Sequence, residues 1–453
     1  MIDINRKLGF PAKKVALVTF WVETFGCQMN KSRSEHLAYL LEEEGFFPAK
    51  GSEEADILVF NTCAVREHAA ERAINIINKV AQERKDKNPH SIVVVCGCLG
   101  QLEKEKLLEK GKEIDVLAGT HNWEEIPLLI KKAWQGKVKI ADFKEEPPPV
   151  FQEKGYWHSN PISAYLPITF GCDNFCSYCV VPYTTGRERS KPPEIIKEEL
   201  TSLVGEGFRE VTLLGQNVNS YGRDRGKERG FEELLLDIEK WLGGKKVWIR
   251  FLTSHPRDFR EGIVEIVKSS SLLCPYFHLP LQAGSDKILQ LMRRGYSRED
   301  YLNKISFIRQ SIPEARIGTD IIVGFPGETE SDFWETLEVV EEARFDVAYT
   351  YIYSPRPGTA AYLLEDDVPL EEKKRRLYIL NDALRNIYQE KLPSLRGKIV
   401  EVLVDQKEGN LVSGKTANNL RVYLPEPSLE VGEWEEVILA SGEGNKIYGS
   451  VRR

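Results

Sequence analysis

No apolar run in this sequence approaches the roughly 20 residues that carry a helix across a bilayer. The longest, residues 92–96 and 15–22, stop well short, so a membrane-spanning class is not expected. Lys13-Lys14 ahead of residues 15–22 imitates a signal sequence, but no small-residue cleavage site follows and Glu23 interrupts the run. The expectation is a strand of a cytoplasmic protein. Excess positive charge is absent too. With a net charge of −7, contact with a polyanion has to rest on local patches. Nor is there a small secreted disulfide framework: eight cysteines in 453 residues, three of them tightly clustered, point to metal or catalysis in a reducing compartment.

That cluster is the run Gly171-Cys172-Asp173-Asn174-Phe175-Cys176-Ser177-Tyr178-Cys179. Spacings of four and three could place three ordinary thiols on one helix face. Gly171 before the run and Val180-Val181-Pro182 after it instead read as a loop leaving a strand. A zinc site would show paired C-x-x-C elements and a fourth Cys or His at a set distance, and neither is evident after Cys179. Cluster irons are normally held by four thiolates. Three therefore suggest a 4Fe-4S cluster with one iron open to an outside ligand, expected to be S-adenosylmethionine.

Hydropathy divides the 453-residue chain, 42% hydrophobic, into an α/β protein of about three domains. Residues 15–140 repeat a strand, a turn bearing a cysteine, and a helical pattern. Strand-like residues 18–23, 57–60 and 92–95 lead to Gly26-Cys27, Asn61-Thr62-Cys63 and Cys96-Gly97-Cys98. In a doubly wound parallel sheet the strands' carboxyl ends line one edge, where ligands bind. Cys27, Cys63 and Cys98 would converge there as a second cluster site, with Cys96 competing with Cys98 because residues two apart on a strand share a face. Cys274 reads as structural. Residues 141–160, with a Pro- and charge-rich core at 143–149, read as a stiff linker.

Residues 161–393 alternate strands (164–170, 210–214, 247–252, 276–281, 316–323, 347–353) with helical patterns such as 193–204 and 328–343. Six such units make a partial (β/α)6 TIM-like barrel whose post-strand loops carry the site. By that position Gly215-Gln216-Asn217, Ser254-His255, His278, Gln282 and Thr319-Asp320 are candidates for a cofactor pocket, while Gly324-Phe325-Pro326-Gly327 reads as a chain turn. Residues 394–453 change to short strands (400–404, 420–424, 435–439) parted by Gly and Asn turns, which predicts a small β-barrel. With eight basic against nine acidic side chains beyond Leu395, that barrel is not a basic clamp. RNA binding through it would depend on where Arg396, Lys398, Lys415, Arg421 and Arg452-Arg453 stand.

With Thr24-Phe25-Gly26-Cys27-Gln28-Met29-Asn30, Asn61-Thr62-Cys63-Ala64-Val65-Arg66, the central cysteine run and Val181-Pro182-Tyr183-Thr184-Thr185-Gly186-Arg187-Glu188-Arg189-Ser190 in order, the chain resembles the MiaB-type tRNA methylthiotransferases over nearly its whole length. The Gly26-Cys27-Gln28-Met29-Asn30 opening favours this branch over the sister branches, whose activity on a ribosomal-protein aspartate or another modified adenosine is the alternative. Two positions depart from the pattern: Thr185 stands where the family more often has Arg, and Cys96 is an added thiol.

The resemblance implies an N-terminal methylthiotransferase domain, a radical S-adenosylmethionine barrel and a C-terminal TRAM domain that binds RNA. It implies two 4Fe-4S clusters, a catalytic one on Cys172, Cys176 and Cys179 and an auxiliary one on Cys27, Cys63 and Cys98. Tyr178 would lie along the adenine of S-adenosylmethionine, with Gln216, Asn217, Ser254, His255, Gln282 and Asp320 completing the pocket. The implied activity adds a methylthio group to carbon 2 of isopentenyl-adenosine beside the anticodon. An electron donor such as flavodoxin or ferredoxin would serve it, and the sulfur donor is open. Arg187, Arg189 and Lys191 form a short basic stripe expected to hold phosphates near a base that is already unpaired in the anticodon loop.

Overall fold

The computed structural model describes residues 17–64, 67–111, 113–136, 138–147, 155–226, 230–440, 442 and 446–453. Motif residues Val65 and Arg66, the lysines at 13–14 and the Pro148-Pro149 end of the expected linker lie outside them. The chain divides into two compact units, one of residues 1–159 with 180–187, the other of 160–179 with 188–453.

The first unit is built on a parallel sheet, β1 (Thr19–Thr24), β2 (Phe47–Pro48), β3 (Ile57–Thr62), β4 (Ile92–Gly97), β5 (Val116–Ala118) and β6 (Ile140–Asp142), in the order β2-β1-β3-β4-β5-β6. Every residue of β3 and β4 is buried, as expected for strands covered on both faces. Ile57, Val59 and Val94 pack against Leu37 and Leu41 of helix α1 (Gln28–Glu43). Leu58, Phe60, Val93 and Val95 pack on the other face with Ile77 and Ala81 of α2 (Glu67–Lys87). The two short strands β5 and β6 escape the sequence reading because three residues carry no period, and β6 takes the first residues assigned to the linker. Gly155 to Ser159 are held as well: the Trp157 amide donates to the Glu35 carbonyl at 3.0 Å and the Ser159 amide to Glu35 Oε1 at 3.1 Å.

The second unit carries six parallel strands, β7 (Ser163–Pro167), β10 (Glu210–Leu214), β11 (Trp248–Leu252), β12 (Tyr276–His278), β13 (Arg316–Val323) and β14 (Val347–Ile352). An isolated bridge, Ile249 to Leu273, joins the ladder β7-β10-β11 to the ladder β12-β13-β14. Their helix-facing apolar residues, among them Leu166, Leu213, Phe251, Phe277 and Ile321, form one core with the surrounding helices. Two expected strands are shorter than the pattern indicated. Residues 164–170 break after Pro167, and β8 (Thr169–Phe170) pairs antiparallel with β9 (Arg189–Ser190), since a proline cannot donate to a ladder. β12 stops at His278, two residues before Pro280.

The C-terminal strands, β15 (Ile399–Glu408), β16 (Leu411–Thr416), β17 (Arg421–Leu424), β18 (Trp434–Leu439) and β19 (Ile447–Val451), close into a barrel in the order β15-β16-β17-β19-β18. That barrel belongs to the second unit and seats at the amino ends of β10 and β11. Arg250 Nε donates to Glu210 at 2.6 Å, while its Nη1 and Nη2 donate to the carbonyls of Ala417 and Thr416 at 2.6 and 2.9 Å. Trp248 meets Trp434 edge to face at 4.5 Å. Among the described residues no helix is long and apolar enough to cross a membrane.

Candidate functional site

Two trios of thiols stand at strand ends, one in each unit. In the first unit, register does the work of convergence. Thr24 pairs Asn61, Asn61 pairs Cys96, and Thr62 pairs Gly97, so Cys63 and Cys98 follow directly on paired residues. The β1 loop closes on them: a β-carbon on Gly26 would stand 2.5 Å from Cys63 Cβ and 3.0 Å from its sulfur, and the backbone there has φ +115°. Gly97, at φ +93°, leaves a β-carbon no room beside Asn61 Oδ1 and the Thr62 carbonyl. Amides stitch the loops together. Asn61 Nδ2 donates to the Asn30 carbonyl at 2.8 Å, and Asn30 Nδ2 donates to the Phe25 and Thr62 carbonyls at 2.8 and 3.2 Å.

Burial, and secondarily the nearness of Cys63 and Cys27, pushes the Cys98 thiol up, against hydrogen bonds from Thr184 and the Ala64 amide. Thr184 lies in the helical turn Val181–Thr184, part of the motif after the central cysteines, and its carbonyl accepts from Thr120 Oγ1. Cys96 sits apart from this group. It is wholly buried in the sheet core with its sulfur 3.7 Å from the Phe60 carbonyl. Since the strand ends at Gly97 and Cys98 opens a helix, the two thiols do not share a face. Cys274 is likewise a core residue, packed with Ile162, Trp248 and Leu403.

In the second unit the run at 172–179 is a loop, with Phe175 left-handed at φ 47°. It is pinned at Ser177, whose amide donates to the Met292 carbonyl at 3.0 Å and whose hydroxyl donates to the Leu291 carbonyl at 2.8 Å. Cys172 and Cys176 are each 8% exposed, enough to meet a ligand while largely desolvated. Burial pushes the Cys172 thiol up to about 12, with the Asn174 amide pulling the other way. Metal binding must displace that proton. Cys176 sulfur receives Arg294 Nη1 at 3.3 Å and faces His255 Nε2 at 3.9 Å. Burial, then Arg294, Arg257 and Arg223, hold the His255 imidazole neutral. Its Nδ1 accepts from the Arg257 amide at 3.2 Å, which leaves the proton on Nε2, toward the sulfur.

The post-strand candidates divide by what they already bond. Asn217 is spent inside the shell, accepting from the His255 amide at 3.0 Å and donating to Asp258 at 2.6 Å. Ser254 is 2% exposed, its amide on the His278 carbonyl at 3.2 Å. Gln216 Oε1, both polar atoms of the Asn219 amide, His278 Nδ1 and Gln282 Oε1 are buried and have no hydrogen-bond partner among the described residues. His278 Nε2 lies 3.4 Å from Asp320, which also accepts from Tyr351 at 3.3 Å. Buried polar groups are normally paired, so this barrel mouth suits a polar ligand such as S-adenosylmethionine. Tyr178 packs with Ile288, Met292 and Phe325, its phenol 3.4 Å from Arg294 Nη1. Glu328 ties down the 324–327 turn by accepting from the Gly324 and Phe325 amides.

Thiolates are the donors that iron-sulfur clusters take. Among the described residues no three His, Cys, Asp or Glu side chains close around a single ion. A cube spreads its thiols, since each holds a different iron. The basic stripe changes composition. Lys191 is fully buried and its ammonium is committed to both Glu199 oxygens, at 3.0 and 2.7 Å, so it is withdrawn from phosphate contact; Arg187 is exposed and Arg189 half-buried. In the small barrel Arg421 grips Asp405 with both ends of its guanidinium, and Lys415 reaches Glu210 and Asp405. Arg294, Tyr296 and Asn219 carry no sequence signal: a buried arginine looks like a surface one until its neighbours are known.

Two family models match, uncharacterized protein family UPF0004 over residues 19–119 and the radical SAM superfamily over 166–340. A tRNA-2-methylthio-N(6)-dimethylallyladenosine synthase of Thermoanaerobacter pseudethanolicus is 43% identical over 437 residues, covering 95% of this chain and 92% of its own. One from Carboxydothermus hydrogenoformans is 42% identical, covering 94% and 97%. Among solved structures, the radical S-adenosylmethionine methyltransferase TsrM from Kitasatospora setae, with cobalamin and a 4Fe-4S cluster bound, aligns at a TM-score of 0.57 and 13% identity over 88% of this chain and 81% of that one. The cobalamin-dependent radical enzyme OxsB aligns at 0.50 and 12%, covering 80% and 56%. These two show a shared fold.

Proposed function

Because the chain belongs to the tRNA-2-methylthio-N(6)-dimethylallyladenosine synthase family, a family of radical S-adenosylmethionine enzymes, we propose that its two thiol trios hold separate 4Fe-4S clusters with different tasks. Cys172, Cys176 and Cys179 would hold the cluster that meets S-adenosylmethionine. Cys27, Cys63 and Cys98 would hold an auxiliary one that carries the sulfur to be transferred, and two molecules of S-adenosylmethionine would be consumed, one as methyl donor. The observation that carries this reading is the strand register that brings Cys27, Cys63 and Cys98 together across three loops.

Carbon 2 of adenine bears a hydrogen with no acidity and no leaving group, so no side-chain base or nucleophile exchanges it. The bound cofactors supply the one-electron chemistry that can. The chain's own residues do the rest. The Ser177 anchors fix the loop of thiols, Arg294 and His255 donate toward Cys176, and the unpaired amides of Gln216, Asn219 and Gln282 orient the polar ends of what enters the barrel mouth. Tyr178 is proposed to lie along the adenine of the cofactor.

The substrate we propose is isopentenyl-adenosine beside the anticodon of a tRNA, whose loop bases are already unpaired, held in part by Arg187 and Arg189. A low-potential donor such as flavodoxin or ferredoxin would reduce the clusters in a reducing cytoplasm, where eight unbridged cysteines are stable. The sequence boundaries 15–140, 161–393 and 394–453 are kept as functional modules. Anaerobic incubation with S-adenosylmethionine, reductant and tRNA, followed by mass spectrometry of the nucleosides, tests the assignment. It predicts deoxyadenosine and a methylthio-adenosine; deoxyadenosine without any modified nucleoside would refute the substrate, and neither product would refute the enzyme.

A further inference from the structure

Arg294 is a buried cation that lacks an anion of its own. It is 3% exposed, and among the described residues no carboxylate lies within ion-pairing distance. Its Nε donates to Tyr296 Oη at 3.0 Å, Nη2 to the Pro280 carbonyl at 2.9 Å, and Nη1 to Cys176 Sγ at 3.3 Å with Tyr178 Oη at 3.4 Å. Two phenols, a carbonyl and a thiol do not neutralise a guanidinium. An uncompensated charge in such a place is costly unless something negative arrives. The negative charge arrives when Cys176 gives up its proton to bind metal.

We propose that Arg294 is a positioning residue that sets the reduction potential of the cluster on Cys172, Cys176 and Cys179. This rests on the ligand assignment made above. A cluster that gains an electron becomes more negative, so a fixed cation in contact with a ligand sulfur stabilises the reduced form more than the oxidised one. Hydrogen bonds to the sulfurs act in the same sense. Burial keeps solvent from screening that charge. The surrounding acceptors explain why arginine is used: Tyr296, itself bonded to the Leu281 carbonyl at 2.7 Å, and Pro280 fix the planar fork so that one Nη remains for sulfur, which a lysine could not satisfy with the same geometry.

The test is an anaerobic redox titration followed by electron paramagnetic resonance, on the full chain reconstituted with iron and sulfide, comparing wild type with Arg294→Gln, Arg294→Met and Arg294→Lys. The two neutral variants are expected to keep wild-type iron and to shift the reduced-to-oxidised equilibrium at least tenfold toward oxidised, which is 59 mV for one electron. Arg294→Lys should fall between them and wild type. Unchanged potentials with full iron would overturn the proposal while leaving the ligand assignment intact, as would a raised KM for S-adenosylmethionine with no shift in potential. If the neutral variants take up no iron but Arg294→Lys does, the potential of Arg294→Lys against wild type decides: a lowered value supports the proposal and an unchanged one overturns it. If all three lose iron, the role is geometric and the proposal fails. A cluster that persists in Cys176→Ala would instead sink the ligand assignment itself.

Discussion

Gly26 lies so close to Cys63 that a methyl group on it would stand 2.5 Å from the Cys63 β-carbon. The contact makes the first trio depend on a backbone as much as on its thiols. Gly26→Ala has to leave φ +115° or bear strain of about 1–3 kcal/mol, and either moves Cys27 away from Cys63. The expected result is a chain that folds, with the iron of the first trio lost and that of the second retained. Iron and sulfide quantification reads it directly.

Cys96 and Cys98 should separate cleanly. Cys96→Val keeps an apolar side chain in a wholly buried site and is expected to cost under about 1.5 kcal/mol with iron content unchanged. Cys98→Ala should lose the auxiliary iron. Equal iron loss in both variants would mean that the thiol in the core is the ligand.

Lys191 and Arg187 predict opposite phenotypes. Removing Lys191 by Lys191→Met takes a buried cation away from Glu199, which is itself partly exposed, and is expected to lower stability by up to about 3 kcal/mol, with no change in the salt dependence of tRNA binding per folded molecule. Arg187→Ala should leave thermal unfolding in place, weaken tRNA binding, and reduce the slope of log K against log salt by about one unit. Filter binding at three salt concentrations beside thermal melts distinguishes the two.

The seam between the large and small barrels carries an acid dependence. Burial disfavours charge on Glu210, but Arg250 and Lys415 outweigh it and hold the carboxyl at about 2, below its ordinary 4.5. A carboxylate lowered in the folded state stabilises above its unfolded value and loses that contribution as pH falls through 4.5 toward 2. The shift is worth on the order of 3 kcal/mol. The contribution of Glu210 to the melting of the second unit should therefore be constant near pH 7 and be lost below pH 4.5. Glu210→Gln, which takes from Arg250 its paired carboxylate, should lower stability already at pH 7 and flatten the acid limb.

What the sequence made legible follows from its periods. β13 is an eight-residue strand with its expected limits, and the strand-turn-cysteine repeat of the first 100 residues placed Cys27, Cys63 and Cys98 on one sheet edge because parallel register leaves few alternatives. Strands of two or three residues, such as β2, β5 and β6, have no alternation to detect and are held by neighbours. Burial of charge was equally invisible: Lys191 and Arg294 look like surface residues in any window, and only Glu199 and Cys176, met through the fold, decide their roles. Asn217 and Gln216 are adjacent in sequence, yet one is satisfied inside the shell and the other is not.

Anaerobic iron and sulfide content of wild type, Cys98→Ala, Cys176→Ala and the double variant tests the division into two clusters most directly. The expected iron is about eight atoms in wild type, about four in each single variant and none in the double. Four atoms in wild type that vanish with either single substitution would show that one cluster draws on both trios, and would contradict the account.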